Sequence, residues 1–230
     1  MLFKSLVFSQ ASGSTGGLVY SRNQGGMYVR ARAKPTNPNS EAQGAVRDAM
    51  RDAVYAWSNT LTDTQREGWN TYAFNTPTWN RLGEATTKTG QQMFIRGAIP
   101  RIQAGIGVPT IASSSFDLGD ISPPTAIEAT DPGDSITFEF DSLDDWVTSP
   151  GSALLVYQSR PQNATRTYGK GPYQLATMIE GASVTPPESP ATFSSLFPLT
   201  TGQRVFLKFN VSMFDGRFTT PIMTSVIVTA

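Results

Sequence analysis

The sequence predicts an α+β protein in which an N-terminal β-hairpin arm and three helices precede an antiparallel β-sandwich. Three observations predict this class. Helix-start patterns and apolar residues at helical spacing occupy the part before residue 106, and apolar residues alternate with polar ones after residue 135. Between them, residues 105–135 are rich in Gly, Ser, Pro and Asp, and we interpret them as a linker and the entry to the second domain. We therefore expect two domains, a hairpin arm with a helical anchoring domain at residues 1–106 and a sandwich at residues 107–230.

The arm is predicted from two strands at residues 18–22 and 27–34, joined by the glycine-containing sequence NQGG. Because side chains alternate along a strand, the second strand presents two different faces. One face is apolar and consists of Met27, Val29, Ala31 and Ala33. The other face carries Tyr28, Arg30, Arg32 and Lys34. We call these four residues the cationic row.

The cationic row is the candidate interaction site of the chain. From Lys4 to Lys34 the sequence has five basic residues and no acidic one. Such a row could contact an acidic protein surface or a nucleic acid, and we favour the protein. The alternative is a solvated outer face whose charges discourage edge-to-edge pairing of strands.

Three helices are predicted from capping-box patterns at residues 40–43, 62–65 and 89–92. The first should run to about residue 58 and bury an apolar stripe. That stripe consists of Val46, Met50, Ala53 and Trp57. The second helix should end before Pro77, and Pro100 should kink or end the third.

The last part of the chain is predicted to form strands, chiefly because apolar and polar residues alternate along it. Ile136, Phe138 and Phe140 alternate with polar residues, and a long alternating run follows at residues 205–213. Residues 153–157, 173–179 and 222–228 are further apolar strands, and the sequence Asp215-Gly216 predicts a hairpin turn. At least five strands separated by turn signals indicate an antiparallel sandwich.

Charge is distributed unevenly between the two predicted domains. Residues 1–106 have twelve basic and six acidic residues, a net +6, and residues 107–230 have the reverse, a net −6. This asymmetry fits two modules with different surfaces. It could also let the basic half of one copy meet the acidic half of another, so we expect a homo-oligomer.

Composition excludes several kinds of chemistry. The chain has no His and no Cys, which removes Ser-His-Asp and Cys-His nucleophiles and the usual zinc ligands. The glycine-rich sequence GSTGG at residues 13–17 lacks the lysine of a phosphate-binding loop. We expect no catalytic residues, no cofactor and no metal, and we expect that the protein is not an enzyme.

One acidic loop leaves alternatives open. Asp141, Asp144 and Asp145 could contribute to a calcium site, or they could form a solvated acidic turn. The same carboxylates could serve glycoside hydrolysis, which needs two of them across a cleft. We favour the solvated turn.

Neither a membrane span nor a signal sequence is expected. No stretch reaches the ~20 apolar residues that cross a bilayer, and the apolar run at residues 6–8 is too short for a signal core. We therefore expect synthesis in the cytoplasm and no membrane partner.

Three blocks of the N-terminal half carry a resemblance to a known family. They are SGSTGGLVYSRNQGGMYVRARAKPTNPNS, the helix pair AVRDAM…AW…LTDTQREGWNTYA, and TGQQMFIRGAIPRIQAG, over about residues 9–105. In order and spacing they resemble an uncharacterised family of virion structural proteins from tailed bacteriophages and prophages. The resemblance implies a structural role in a virion and supplies no active site.

The C-terminal half resembles a fibronectin type III or Ig-like sandwich. The sequence SPPT at residues 122–125 resembles the start of a type III module, and VFLKFNVSMFDGRFTTP resembles its last hairpin. In type III modules a core tryptophan lies within a strand, whereas Trp146 follows the first clear strand here.

These observations lead to three expectations of function. The first is a capsid decoration or cement protein in the virion that binds the major capsid protein through its arm. The second is a tail, neck or baseplate component, such as a host-facing adhesin, with other virion proteins as partners. The third and least favoured is a carbohydrate-active enzyme.

Overall fold

The computed structural model describes residues 11–23, 26–79, 85–169 and 171–230, and it contains both helices and antiparallel sheets. The α+β class is therefore confirmed. Contacts divide the chain into a small unit, residues 1–41, and a large unit, residues 42–230. The expected boundary between residues 106 and 107 thus falls inside the large unit, which holds the helices together with most of the strands.

The small unit contains a three-stranded antiparallel sheet in the order β1-β2-β3. Its strands are β1 (Gly13–Thr15), β2 (Leu18–Asn23) and β3 (Gly26–Ala31). Both predicted strands are present, although β3 ends three residues before Lys34. The strand β1 was not predicted from the sequence. Residues 24 and 25 of the predicted turn, and the apolar run at residues 6–8, lie outside the described residues.

The helices of the large unit begin where their caps predict. They are α1 (Glu41–Tyr55), which continues as a π-helical segment (Ala56–Thr60), α2 (Asp63–Asn75) and α3 (Gly90–Ala104). Before α2, the Thr62 hydroxyl accepts from the Gln65 amide at 3.3 Å, and the Gln65 side chain accepts from the Thr62 amide at 2.9 Å. Thr89 and Gln92 form the same box before α3. A short hairpin of β4 (Thr78–Trp79) and β5 (Ala85–Thr86) lies between them.

One of the two alternatives for Pro100 is excluded, and the prediction about the stripe on α1 is wrong in part. Pro100 does not end α3, which continues to Ala104 and ends at Gly105 with a left-handed φ of 74°. The stripe on α1 is not a core stripe, because Val46 is 50% and Met50 43% exposed. The helical core is built chiefly where α2 packs on α3, and among the four stripe residues it includes only Ala53, with Trp57 packed against its edge.

The remaining strands form two antiparallel sheets. The smaller sheet has the order β11-β7-β6, and the larger has the order β10-β8-β12-β13, with β9 also pairing with β12. The strands are β6 (Thr125–Thr130), β7 (Ser135–Glu139), β8 (Ala153–Ser159), β9 (Gln162–Asn163), β10 (Tyr173–Glu180), β11 (Ala191–Ser194), β12 (Gln203–Ser212) and β13 (Ile222–Ile227).

Alternating side chains from the two sheets share one buried cluster. Ile136, Phe138 and Phe193 come from the smaller sheet, and Leu207 and Phe209 from the larger. The rings of Phe138 and Phe209 are 5.1 Å apart between centroids. Trp146, in the short helix α4 (Asp145–Thr148), is 1% exposed and packs at a tilted angle against Phe140, with ring centroids 5.1 Å apart. The period-two prediction is therefore confirmed at the residues that build this core.

The helices and the larger sheet are joined by a buried arginine of α3. Arg101 donates to the carbonyls of Gly107 (2.6 Å), Gly151 (2.9 Å) and Met213 (3.2 Å), and to the Ser212 hydroxyl (3.0 Å). The predicted turn at Gly216 is also confirmed, and a Cβ placed there would come within 2.6 Å of the Trp69 ring. Arg101 and the turn together bind the helices to the sheet within the large unit.

The stretch that reads as a linker is also held in place. The indole N–H of Trp69 donates to the Thr110 carbonyl at 3.2 Å, and the Tyr72 hydroxyl donates to the Asp117 carbonyl at 2.6 Å. Composition predicted a linker because Gly, Ser and Pro are common in loops. It could not predict these long-range bonds to α2.

Candidate interaction surfaces

The described part of the small unit has no buried side chain. All residues at positions 11–22 and 27–41 are partly or fully exposed, and Leu18 is 44% exposed. A small sheet needs a hydrophobic face packed on something to be stable in water. None of the side chains at these positions supplies such a buried face.

The structure keeps most of the cationic row together. Tyr28 is paired with Ser21, and Arg30 with Val19, across β2 and β3. Because directly paired residues share a face, Tyr28 and Arg30 lie on the same side of the sheet. The Arg32 amide donates to the Gly17 carbonyl at 2.8 Å, so the ladder continues past the end of β3. Lys34 lies two residues further, in the segment that leads to α1.

The cations of the row are open to solvent. Arg30, Arg32 and Lys34 are exposed and Tyr28 is half-buried. The ion pairs found among the described residues involve none of these three cations. Arg22 is paired with Met27 on the opposite face of the sheet. The row therefore remains the candidate contact site, and its assignment to a protein partner stays a prediction.

The glycines at the start of the small unit serve backbone geometry. Gly13 and Gly16 have φ values of 119° and 58°, which favour glycine. The segment Gly13–Thr15 is a strand followed by a turn into β2, with no helix after it. A phosphate-binding loop requires a helix at that place.

The outer face of the smaller sheet is acidic, which sequence reasoning missed. Glu128 is paired with Thr137, and Thr137 with Thr192, whose hydroxyls are 2.8 Å apart. Since Ile136 and Phe138 point into the core, Thr137 and Glu139 point away from it. Glu128 and Glu139 are both exposed. We call these two residues the acidic face.

A sequence signal for this face was available. From Ile102 to Ser159 the chain has nine acidic residues and no basic one. This acidic run is more localised than the net charges of the two halves of the chain. Within β7, the alternation of apolar and polar residues already placed Glu139 on the face opposite to Ile136 and Phe138.

The acidic loop does not bring its three carboxylates together. Asp144 accepts from the amide (3.0 Å) and hydroxyl (2.7 Å) of Ser122 and from the indole N–H of Trp146 (3.3 Å). Asp141 instead accepts from the Leu143 amide at 2.9 Å. Within the described ranges, no group of three or more His, Cys, Asp or Glu side chains is placed to hold a metal ion. Asp144 thus serves to fix the start of β6 against α4.

Burial shifts the pKa values of several groups in the large unit. Burial lowers the pKa of the Arg101 guanidinium and raises the pKa of both Tyr72 and Tyr157 to about 12. Burial also lowers the pKa of Lys208, whose ammonium lies 4.1 Å from the centre of the Tyr157 ring.

Two open grooves flank the helices, and neither has an acidic lining residue in the described part of the chain. One, of about 520 Å³, runs beside α2 and is lined by Thr62, Gln65 and Phe116 among others. The other, of about 530 Å³, lies beside α3 and is lined by Lys88, Arg96 and Leu118 among others. Glycoside hydrolysis needs two carboxylates across a cleft, and these grooves do not supply them.

A search of the helices in the described ranges finds none with both the length and the apolar character that crossing a membrane requires. No protein family model matches the chain, and no curated protein matches it either.

Proposed function

We propose that this protein is a structural component of a bacteriophage virion, a capsid decoration or cement protein that binds neighbouring subunits through its N-terminal arm. The observation that carries the proposal is the lack of any buried residue at positions 11–22 and 27–41 of the small unit. A sheet without a core gains its stability by packing on another surface, which is how an assembly arm works. We propose the virion as the location of this role because residues 9–105 resemble the family of phage virion proteins.

The large unit would be the body that the arm attaches. We propose that its two sheets form an Ig-like or fibronectin type III-like sandwich. The strand orders β11-β7-β6 and β10-β8-β12-β13 support this, because they place the first, second and fifth main strands in one sheet and the others in the second. Trp146 departs from the type III pattern, since it packs from α4 instead of from a strand. The fold alone implies no activity, and the proposed role is non-catalytic.

The proposal is tested with purified particles. Particles made without this chain should lose thermal and osmotic resistance, and added protein should restore it. A chain lacking residues 1–34 should stay folded by circular dichroism yet fail to bind the particles. Unchanged resistance of particles without the chain, or normal binding of the truncated chain, would contradict the proposal.

The tail, neck or baseplate role is separated by the location of the chain. Labelled protein should be found on heads that lack tails if it is a capsid cement. Recovery of the chain only on tails free of heads would replace the cement role by the tail role, while leaving the virion proposal in place.

A further inference from the structure

We infer that the arm of one copy binds the acidic face of a second copy, with Arg30 and Arg32 opposite Glu128 and Glu139. This inference deepens the proposed arm function and rests on it. It assigns the partner of the arm sheet as another copy of this chain and places the contact on the smaller sheet of the large unit.

The cationic side of the contact is built on a regular strand. Arg30 lies in β3 and Arg32 two residues further, where the backbone ladder still holds through the Gly17 carbonyl. Side chains two residues apart on a strand project to the same side about 7 Å apart. Both guanidinium groups are exposed, and no acidic residue lies between Lys4 and Lys34 to neutralise them.

The acidic side has a matching spacing. Glu128 is directly opposite Thr137 in the sheet, and Glu139 is two residues further along β7. Residues in this diagonal relation lie about 7–8 Å apart. Both carboxylates are exposed, and the ion pairs of the described residues include neither of them. Two arginines and two glutamates at similar spacing can form two parallel pairs.

The surroundings of the face strengthen the complementarity. Other outward side chains of this sheet are short and polar, including Thr125, Thr130, Ser135, Thr137, Thr192 and Ser194. Short neighbouring side chains allow close approach of a second sheet. Because residues 102–159 contain no Lys or Arg, no cation from this segment repels the arm.

A second copy fits this pairing because every chain carries both surfaces. Binding arm to face leaves one arm and one face free at the ends of each pair, so the contact is head-to-tail. Such a contact closes into a ring or continues as an open array. Both outcomes suit a protein that repeats over a particle surface.

The test uses full-length chains with reversed charges on one side of the contact at a time. The arm variant is Arg30→Glu with Arg32→Glu, and the face variant is Glu128→Lys with Glu139→Lys. Sedimentation velocity measures self-association of each. The wild type should associate, and each variant alone should associate on the order of tenfold or more weakly, since two exposed pairs become repulsive.

Mixing the two variants is the decisive step. The intact arm of the face variant meets the intact face of the arm variant, so the mixture should regain association and form mixed species. Raising the salt from about 0.1 M to about 1 M should weaken wild-type association, because the screening length falls from about 10 Å to about 3 Å. If the mixture associated no more strongly than each variant alone, the inference would be overturned. The same result is expected if the arm folds onto its own chain.

Matched controls use charges away from the contact. Arg22→Glu changes the other face of the arm sheet, and Glu67→Lys changes an exposed position of α2. Both should associate like the wild type, and circular dichroism should show all variants folded. If either control weakened association as much as the variants, general charge and not this pairing would be responsible, and the inference would fail.

Particle binding keeps this result apart from the proposed function. A monomeric wild type that still binds particles through its arm would overturn the self-pairing and leave the virion role. A chain that self-associates as described but does not bind particles would support the pairing and contradict the virion role.

Discussion

The two units of this chain differ in what they bury. The large unit has two buried clusters, one between the sheets and one around Trp69 and Phe94, whereas the described part of the small unit buries nothing. Burial of apolar surface is the main source of folding free energy. The large unit therefore has its own source of folding free energy, whereas we propose that the arm sheet gains stability from the surface of a partner.

Truncation of a core ring should break the large unit and not the arm. Phe138→Ala removes a fully buried ring that packs on Phe209 and Phe193, and we expect it to lower the free energy of unfolding by about 3–5 kcal/mol. Chemical denaturation of both proteins measures the change. Leu18→Ala in the arm should change it by less than about 0.5 kcal/mol, and equal losses would contradict the comparison.

Removal of the buried arginine should have the next largest effect. Arg101→Ala leaves the carbonyls of Gly107, Gly151 and Met213 without their donor, which should cost about 2–4 kcal/mol of unfolding free energy. Thermal and chemical denaturation measure the loss. Arg30→Ala is the matched control in the arm and should leave the unfolding midpoint unchanged. An Arg101→Ala variant with an unchanged free energy of unfolding would show that this residue does not hold the helices and the sheets together.

These two residues show what the sequence could and could not predict. Phe138 was predicted as a core residue, because alternation within one strand is a local signal. The role of Arg101 depends on carbonyls up to 112 positions away along the chain, and no local pattern encodes such distances. For the same reason the stretch after residue 105 was interpreted as a linker.

The helices show the same limit. Capping boxes are local, so the starts of α2 and α3 were predicted correctly. The stripe on α1 was predicted as core from its spacing alone, but spacing only shows that a helix has an apolar side. Whether that side is covered depends on the neighbouring elements, and Val46 and Met50 are left exposed. The acidic face was missed because Glu128 and Glu139 become neighbours only through strand pairing.

Glycine substitutions in the two units should differ in their effect on the free energy of unfolding, with losses of intermediate size in the large unit. Gly216 has a φ of 86° and lies against Trp69, so Gly216→Ala should lower the free energy of unfolding by about 1–3 kcal/mol. Gly16 in the arm also has positive φ but has no atom near its added Cβ. Gly16→Ala should therefore leave the denaturation midpoint of the large unit unchanged. A shift of that midpoint by Gly16→Ala would show that the units are coupled in stability.

Acid should weaken the large unit slightly through Asp117. Partial burial opposes ionisation, but the hydrogen bonds from Arg217 (2.7 Å) and from the Gly119 amide (2.7 Å) lower the pKa of Asp117 below its ordinary value. A carboxyl with a depressed folded pKa stabilises the fold above its unfolded pKa of about 4 and loses this contribution as the pH falls through the folded pKa. Stability curves between about pH 5 and pH 2 should fall less steeply for Asp117→Asn. If both proteins lost stability with pH at the same slope, the hydrogen bonds to Asp117 would not contribute to the acid sensitivity.

Hydrogen exchange of the free chain and of the assembled chain tests the central claim most directly. In dilute free protein, the amides of β2 and β3 should exchange orders of magnitude faster than those of β8 and β12, because none of the side chains at positions 11–22 and 27–41 is buried to resist local opening of the arm. In the assembled state, the arm amides should become protected while β8 and β12 change little. Slow exchange of the arm in the free monomer, equal to that of β8 and β12, would contradict the claim that a partner surface stabilises the arm.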